Sequence, residues 1–505
     1  MSVIINGMTK LAQHLYQAEQ VRAMERYAIE TLELSGTVLM ERAGAAAFAR
    51  LQQHWPDASR ICVVCGTGNN GGDGFVIARL AKEAGLRVAV MQVGDSSKLQ
   101  GDALAAAQRL QSVEIIPCDY DRQNLLTCDV VVDAILGIGI SGLVQDEYQQ
   151  VIQSINSSGR PVLAVDVPSG LNIDSGEVAG VAIKADLTVT FIGIKRGLYC
   201  ADAFEHTGQC VLETLNLPSE VYQQVESQVQ HISYTQLSRL LKPRLRNTHK
   251  GDYGHVLIVG GDHGYTGAVR MAGEAAARTG AGLVSIATRA THASALNVTR
   301  PELMVHGIED EMAFNRLAER ATVIAIGPGL GQSSWGQQLL KSAMGTGLPM
   351  VVDADALNLL SLHPAKNDNW VLTPHVGEAA RMLGQSTQEV QADRFVAVRA
   401  LRENYGGIAV LKGAGTCIAQ DGGPLLLCSQ GNPGMASGGM GDILTGIIAG
   451  LLAQGINQMD AASLGVCLHA AAGDAASAAV GERGLLAGDL FSWIRRLVNP
   501  VPPSA

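Results

Sequence analysis

Aromatic residues are scarce, 4% of 505, and charged residues make up only 17%. So few rings leave no platform on which successive bases could stack. A formal net charge of −10 repels phosphate backbones and anionic headgroups alike, which excludes a nucleic-acid surface and a polybasic membrane contact. No uninterrupted apolar run approaches the ~20 residues that span a bilayer, and no charged-then-apolar leader opens the chain. The cytoplasm is therefore the expected compartment. Nine cysteines, scattered and odd in number, do not build a disulfide framework and fit a reducing environment. Cys62 and Cys65 form a C-x-x-C, yet they lie in the apolar run from Ile61 to Cys65 and read as buried strand residues.

Glycine is what the chain has in abundance: 58 residues, beside 47% hydrophobic content. That combination suits an α/β enzyme with many tight turns, and the length allows about three domains, or two large ones. The densest stretch is Gly431-Asn432-Pro433-Gly434-Met435-Ala436-Ser437-Gly438-Gly439-Met440-Gly441-Asp442, followed by the apolar helical run Ile443 to Ala453. Glycines permit the dihedrals that turn several N–H groups inward, and a helix start adds its positive end, so Gly438 to Gly441 could cradle a phosphoryl group. Asp442 beside it could accept the proton of an attacking hydroxyl. The structural alternative is a glycine turn with Asp442 as N-cap. Gly446-x-x-x-Gly450 has the spacing of a membrane helix-pairing motif, but its apolar segment is too short.

Along the first half, Gln17 to Leu32 forms an amphipathic helix with Val21, Met24 and Ala28 on one face. A buried strand over Arg60 to Cys65 runs into Gly66-Thr67-Gly68-Asn69-Asn70-Gly71-Gly72-Asp73-Gly74, with a helix predicted from Phe75 to Ala84. Gly66-x-Gly68-x-x-Gly71 matches a dinucleotide fingerprint. The loop is longer than that fingerprint needs, and Asn69, Asn70 and Asp73 suggest hydroxyl or cation contacts as well as phosphate. Strands predicted at Leu86 to Val93, Asp129 to Ile135, Val162 to Val167 and Leu187 to Phe191 complete a parallel sheet. Its strand ends carry Asp133, the run Gly137 to Leu143, and Asp166-Val167-Pro168-Ser169-Gly170, which would converge on one crevice.

The pattern breaks between Asn216 and Tyr234, where a domain boundary is expected. A second αβ series follows, with strands at His255 to Gly261, Leu283 to Ala287, Val323 to Ile326, Val351 to Asp353, Trp370 to Thr373 and Ile408 to Leu411. Their ends carry Gly327 to Gly331, Asp353-Ala354-Asp355, Thr373-Pro374-His375-Val376-Gly377-Glu378 and Lys412-Gly413-Ala414-Gly415-Thr416. His375 could be a helix cap, and Lys412 a surface cation. The helices Ile443 to Ala453 and Ala461 to Ala479 are apolar nearly all round, so they should be buried or face another copy of the chain.

With these residues laid out, the chain resembles the bifunctional NAD(P)H-hydrate repair enzymes over essentially its full length. Asn69 to Gly74, Gly137 to Leu143 and Asp166 to Gly170 are similar to the epimerase motifs; Thr373 to Glu378, Lys412 to Thr416 and Gly439 to Asp442 are similar to the dehydratase motifs. The resemblance implies two three-layer αβα domains: a Rossmann-like epimerase over about residues 1–225 and a ribokinase-like, ADP-dependent dehydratase over about residues 235–505. Their substrates would be NADH or NADPH with water added across a ring double bond. The epimerase would interconvert the R and S hydrates, and the dehydratase would return the S form to NAD(P)H, turning ADP into AMP and phosphate.

By that resemblance Asn69, Asn70, Gly71, Gly72, Asp73, Gly137, Ile138, Gly139, Ile140, Ser141, Gly142, Leu143 and Asp166 would hold the hydrate, with Asp166 the acid/base and Asp73 its rival. Asn70, Asp133 and Ser169 would bind potassium, and their amide, carboxylate and hydroxyl oxygens are hard ligands suited to such an ion. In the second domain, Ala268, Gly331, His375 and Asp442 would contact the hydrate, with Asp442 the base. Lys412, Gly413, Ala414, Gly415, Thr416 and Gly441 would hold ADP. Magnesium would screen the phosphates, with Glu378 an indirect ligand, and self-association through the apolar helices is expected. Two other readings use the same residues: a ribokinase-like kinase for a small alcohol, and a non-catalytic dinucleotide sensor built on the first domain's glycine loop.

Overall fold

Strand Arg60–Cys65 is apolar from Ile61 onward because both faces of its sheet are covered. Ile61, Val63 and Cys65 enter one hydrophobic core while Cys62 and Val64 enter another, so the two cysteines point to opposite sides and cannot share a metal. A computed structural model of the chain describes residues 10–139 and 142–499, and it divides into two compact units, Met1–Gln230 and His231–Ala505. Both are α/β.

In the first unit a parallel sheet runs in the order Cys118–Asp119, Arg87–Gln92, Arg60–Cys65, Val130–Ala134, Val162–Val165, Leu187–Phe191, Gln209–Glu213. The order reverses between Arg60–Cys65 and Val130–Ala134, the Rossmann-like switch point at which ligands bind beyond the carboxyl ends. The two outermost strands are short or polar and carry no clear alternation in the sequence. Val162–Val165 stops short of Val167 because Asp166 turns to a φ of 63°, which an aspartate tolerates better than most residues.

The helix after Arg60–Cys65 begins at Asn69, not Phe75, so the motif from Asn69 to Gly74 is helical rather than a loop. Close packing explains its glycines. A Cβ on Gly71 would sit 2.0 Å from Gly66 O, one on Gly72 2.5 Å from Met40 Cε, and one on Gly74 2.6 Å from the Ala134 Cβ. Each helical glycine costs about 1 kcal/mol against alanine, which this packing offsets.

The second unit repeats the logic in a sheet ordered Met304–Gly307, Leu283–Thr288, His255–Val259, Val323–Ile326, Met350–Val352, Trp370–Leu372, Ile408–Leu411, Thr416–Ala419, Leu425–Cys428. The strands through Ile408–Leu411 are parallel, and the last two turn back antiparallel. The hairpin lies beyond the strands read from sequence, and Thr416 is its first residue rather than part of a loop.

Helix Met440–Ala453 lies against helix Thr266–Thr279, and Gly446-x-x-x-Gly450 is the seam. A Cβ on Gly446 would meet Ala272 O at 2.1 Å, and one on Gly450 would meet Ala276 O at 2.8 Å. Ile443, Ile447, Ile448 and Leu451 on the same helix are fully buried, each contributing up to about 1.5–3 kcal/mol. Among the described residues one helix, Gln458–Val480, is long and apolar enough by length and mean hydropathy to cross a membrane, although Asp460, His469 and Asp474 interrupt its apolar run. Residues Ala461 to Leu468 of that helix are all buried in the unit's core.

Candidate active sites

A crevice of about 660 Å³ opens at the switch point of the first unit. Asn69, Asn70, Asp73, Gly137, Ile138, Gly139 and Asp166 line it. Gly71 and Gly72 do not; they are buried in the helix packing beneath. Leu143 is 79% exposed and outside the lining, as is Gly142. Ile140 and Ser141 lie outside the described residues.

Asp166 is held from several sides. Its Oδ1 pairs with the fully buried Lys195 Nζ and accepts from Phe191 N at 2.9 Å. Lys195 also donates to Thr190 Oγ1 and Phe191 O, both at 3.0 Å, which fixes its ammonium in place. Asp73 faces the same crevice. Burial first, and then the charges of Asp166 and Glu25, push its carboxyl well above the usual carboxylate range. The crevice thus holds a carboxylate paired to a lysine and a second carboxyl disposed to keep its proton. Arg22 Nη2 donates to Ile138 O at 2.8 Å and ties the loop to helix Ala18–Glu30.

Behind this wall Asn70 and Ser169 both bond Leu136, and Ser169 bonds Asp133. Asp133 is fully buried; its Oδ1 accepts from Ser169 Oγ at 2.6 Å and its Oδ2 from Ser169 N at 2.9 Å. Burial pushes the Asp133 carboxyl up to about 6. Asn70 donates from Nδ2 to Leu136 O at 3.1 Å, while its Oδ1 is buried without a partner. Leu136 N in turn donates to Ser169 Oγ at 2.8 Å. A buried acceptor without a donor, next to a carboxylate that burial penalises, is chemistry a monovalent cation would complete.

In the second unit Gly439, at a φ of 91°, caps helix Met440–Ala453, and no side chain caps the turn. Asp442 lies inside the first turn and is not the N-cap. The first helical bond runs from Ile443 N to Gly439 O at 3.1 Å, so the N–H groups before it stay available to an anion. Gly438 has open space where a Cβ would stand. At Gly441 a Cβ would approach Lys412 Nζ to 3.2 Å and Asp353 Oδ2 to 3.6 Å, so glycine lets the turn close over the lysine.

Lys412 Nζ donates to Asp353 Oδ1 at 2.8 Å and lies 4.0 Å from Glu378 Oε2. Burial pulls its ammonium down, but Asp353 and Glu378 outweigh that and its pKa rises. Asp442 is pushed up to about 7, by burial first and then by Asp353, with Lys412 opposing. Glu378 reaches about 7 for the same leading reason, burial. His375 caps helix Val376–Leu383: its Nδ1 accepts from Gly377 N at 2.9 Å and its Nε2 lies 3.4 Å from Glu378 Oε1.

Gly413 and Gly415 take positive φ, and the buried Arg394 holds their loop from behind. Arg394 Nη2 donates to Leu411 O and Lys412 O at 3.2 Å and to Gly415 O at 3.3 Å. Ala414 lies between the two glycines, and Thr416 Oγ1 closes the turn on Gly413 O at 3.1 Å. Gly331 joins the same sheet edge through its N–H to Asp355 Oδ2 at 2.9 Å, and Asp355 acts on the charge of Asp442. Ala268 stands in the first turn of Thr266–Thr279, its Cβ 3.4 Å from the space a Cβ on Gly329 would take. Sequence reasoning missed Lys195, Glu25 and Arg394. A lysine just past the apolar strand Leu187–Phe191 was a usable signal for the first.

Comparison with known proteins follows the same division. Residues 36–197 match the family described as YjeF-related protein N-terminus, and residues 256–496 the family described as NAD(P)H-hydrate dehydratase. Over 96% of its length the chain is 50% identical to the bifunctional NAD(P)H-hydrate repair enzyme Nnr of Coxiella burnetii, covering 99% of that protein. The Escherichia coli protein of the same description is 45% identical over 96% of the chain and 94% of its own length. A solved ribokinase-like superfamily protein from Enterococcus faecalis superposes on 54% of the chain and 95% of itself, at TM-score 0.50 and 30% identity.

Proposed function

Because the chain belongs to the bifunctional NAD(P)H-hydrate repair enzymes, an epimerase domain followed by an ADP-dependent dehydratase domain, we propose that its two sites treat one damaged cofactor in turn. The unit ending at Gln230 interconverts the R and S hydrates of NADH and NADPH. The unit from His231 dehydrates the S form at the expense of ADP, giving AMP and phosphate. Membership of this family leaves no place for the alcohol kinase or the non-catalytic sensor.

In the first crevice the ring nitrogen's lone pair helps expel the hydroxyl once it is protonated. Asp73, whose carboxyl burial pushes toward the protonated form, would supply that proton; Asp166, oriented by Lys195, would take one from water returning to the other face. Asn69, Asn70 and the Gly137–Gly139 backbone would position the ring. Asn70, Asp133 and Ser169 would hold potassium, whose charge would neutralise the buried Asp133 and fix the loop after Ala134.

At the second site Asp442 accepts the proton of the substrate hydroxyl as its oxygen attacks the terminal phosphoryl group of ADP. Lys412 and the uncapped N–H groups before Ile443 stabilise the charge that builds on the phosphoryl oxygens. Hydroxide is a poor leaving group and phosphate a good one. The ring nitrogen then expels phosphate, a proton leaves the neighbouring carbon, and the double bond returns. Lys412 to Thr416 and Gly441 would hold the nucleotide, and Ala268, Gly331 and His375 the hydrate. Asp353, Glu378 and Asp442 all act on the charge of Lys412, and a magnesium ion, with Glu378 as an indirect ligand, would screen the phosphates there.

The observation that carries the reading is Asp442, pushed to about 7 beside an uncapped helix start and a fixed lysine. Incubation with ADP and hydrated NADH tests it: NADH, AMP and phosphate should appear in equal amounts. Accumulation of a stable phosphorylated hydrate would overturn it. The odd and scattered cysteines of the sequence support placement in the cytoplasm. The helices expected to drive self-association bury their apolar residues inside the second unit, so a homo-oligomer has lost that support.

A further inference from the structure

The second unit holds another cavity, of about 720 Å³, and its lining includes Arg278, Arg300, Arg483, Arg495, Phe491 and Trp493. None of the residues assigned above to the hydrate or to ADP lines it. Behind two of the arginines lies Glu274, its side chain 4% exposed, with Arg300 Nε at 2.5 Å, Arg278 Nε at 3.6 Å and Arg270 Nη2 at 3.9 Å. One carboxylate shared by three guanidiniums leaves positive charge over. Arg483 and Arg495 form no ion pair among the described residues, and the lining's one carboxylate, Asp489, accepts from Leu486 N at 2.9 Å. On a chain of net charge −10, this is a concave concentration of the opposite sign. Guanidiniums gathered in a concavity repel one another unless an anion joins them, and their forked donors match phosphate oxygens. Phe491 and Trp493 are half-buried beside that charge, and Trp493 already has the Arg496 guanidinium 5.2 Å from its ring centroid, a stacking contact of the kind a base would make. The volume falls in the range of small-molecule sites.

The cavity wall also supports the catalytic turn. Ser437 Oγ donates to Leu485 O at 3.1 Å, and a Cβ on Gly434 would lie 2.6 Å from Glu482 O. Gly439, the cap of the helix carrying Asp442, has the Ala487 Cβ 3.1 Å from where its own Cβ would stand. Residues 482–487 are thus packed between the arginine cavity and the glycine turn, so a ligand that moves one moves the other.

We propose that this cavity is a second nucleotide site, taking a nucleoside polyphosphate with its phosphates on the arginines and its base against Phe491 or Trp493, and that occupancy is felt at the Gly434–Gly439 turn. The binding stands apart from the dehydratase reading; the effect on catalysis rests on it. Calorimetric titration of the full chain with ADP provides the test. Wild type should bind one more ADP per chain than Arg483→Ser/Arg495→Ser, and Lys412→Met should keep that additional ADP while losing another. Unchanged melting of the double variant would show that it folds. Equal numbers of ADP with equal affinities in wild type and double variant overturn the site, and closure of the cavity by a second copy of the chain would give that same result. With hydrated NADH, the wild-type dependence of rate on ADP should depart from a single hyperbola and become hyperbolic in the double variant; a hyperbolic wild type overturns the coupling. Absence of NADH formation in both proteins, with the additional ADP still bound, would sink the dehydratase reading and spare the site.

Discussion

Lys412 and Asp353 form a buried ion pair, Nζ to Oδ1 2.8 Å, while Thr445 Oγ1 donates to the other carboxylate oxygen at 2.8 Å. Burial raises the Asp353 pKa, yet Lys412 and Thr445 outweigh it and the carboxyl is held below its usual range. Asp353 therefore fixes the lysine proposed to meet the phosphate and, by its own charge, raises the carboxyl proposed as the base.

Asp353→Asn should break both services. Removing one partner of a buried pair costs about 3–5 kcal/mol, so the second unit's melting temperature should fall. With the charge of Asp353 gone, Asp442 should titrate lower. The acidic limb of the dehydration pH profile should move down with it, and a limb that stays in place would mean Asp353 does not act on the base.

Dehydration in the wild type should depend on Asp442 being ionised. Its pKa is raised to about 7, so kcat/KM should climb as pH rises and reach half its plateau near there. Asp442→Asn should lower kcat by about 10²–10⁴ with epimerisation intact. Unchanged dehydration in that variant would remove Asp442 from the chemistry.

Lys195→Met should act only on the first site. It leaves Asp166 without its cation and frees the carboxylate to rotate, and epimerisation should slow by about 10². Dehydration of the S hydrate, measured on the same sample, should keep its wild-type rate. An equal loss of both would point to misfolding rather than to the acid/base pair.

The strand ends were legible because glycine and short polar residues directly after an apolar run seldom serve packing alone. Asp133, Asp166, Lys412 and Asp442 could be placed that way. Lys195 also follows an apolar strand, but its partner could not be read, since the contact depends on a fold-back after Phe191 that brings it to Asp166 from 29 positions away. Arg22 and Glu25 lie on an amphipathic helix whose period reveals the buried face but not what its polar face meets. The early start of the helix at Asn69 was hidden because glycines that read as a loop are there to let backbones touch. Arg394 is buried at 1% exposure, where arginine is rarely found, and nothing local in the sequence marks it.

Acid should destabilise the second unit. Burial depresses His231 and His469 from 6.5 to about 4. Above 6.5 both rings are neutral folded or unfolded and cost nothing. Between 6.5 and about 4 the unfolded chain takes protons that the folded chain refuses, so stability falls by up to about 1.4 kcal/mol per pH unit for each ring. Urea midpoints of the second unit should decline across that window, and His231→Gln should flatten the decline.

Arg394 tests whether the loop proposed to hold the nucleotide is preformed. Its Nη2 reaches three carbonyls, of Leu411, Lys412 and Gly415, and Nη1 donates to Gln391 Oε1 at 2.8 Å. A lysine there keeps the charge but lacks the fork, so it can satisfy only part of this set. Hydrogen bonds to a charged group contribute about 1.5–3 kcal/mol, and each 1.4 kcal/mol is about tenfold in affinity. Arg394→Lys should therefore raise the KM for ADP about tenfold or more and leave kcat at saturating ADP near wild type, because the loop must be ordered by the nucleotide instead of in advance. A fall in kcat with KM unchanged would place Arg394 in the chemistry rather than behind the loop.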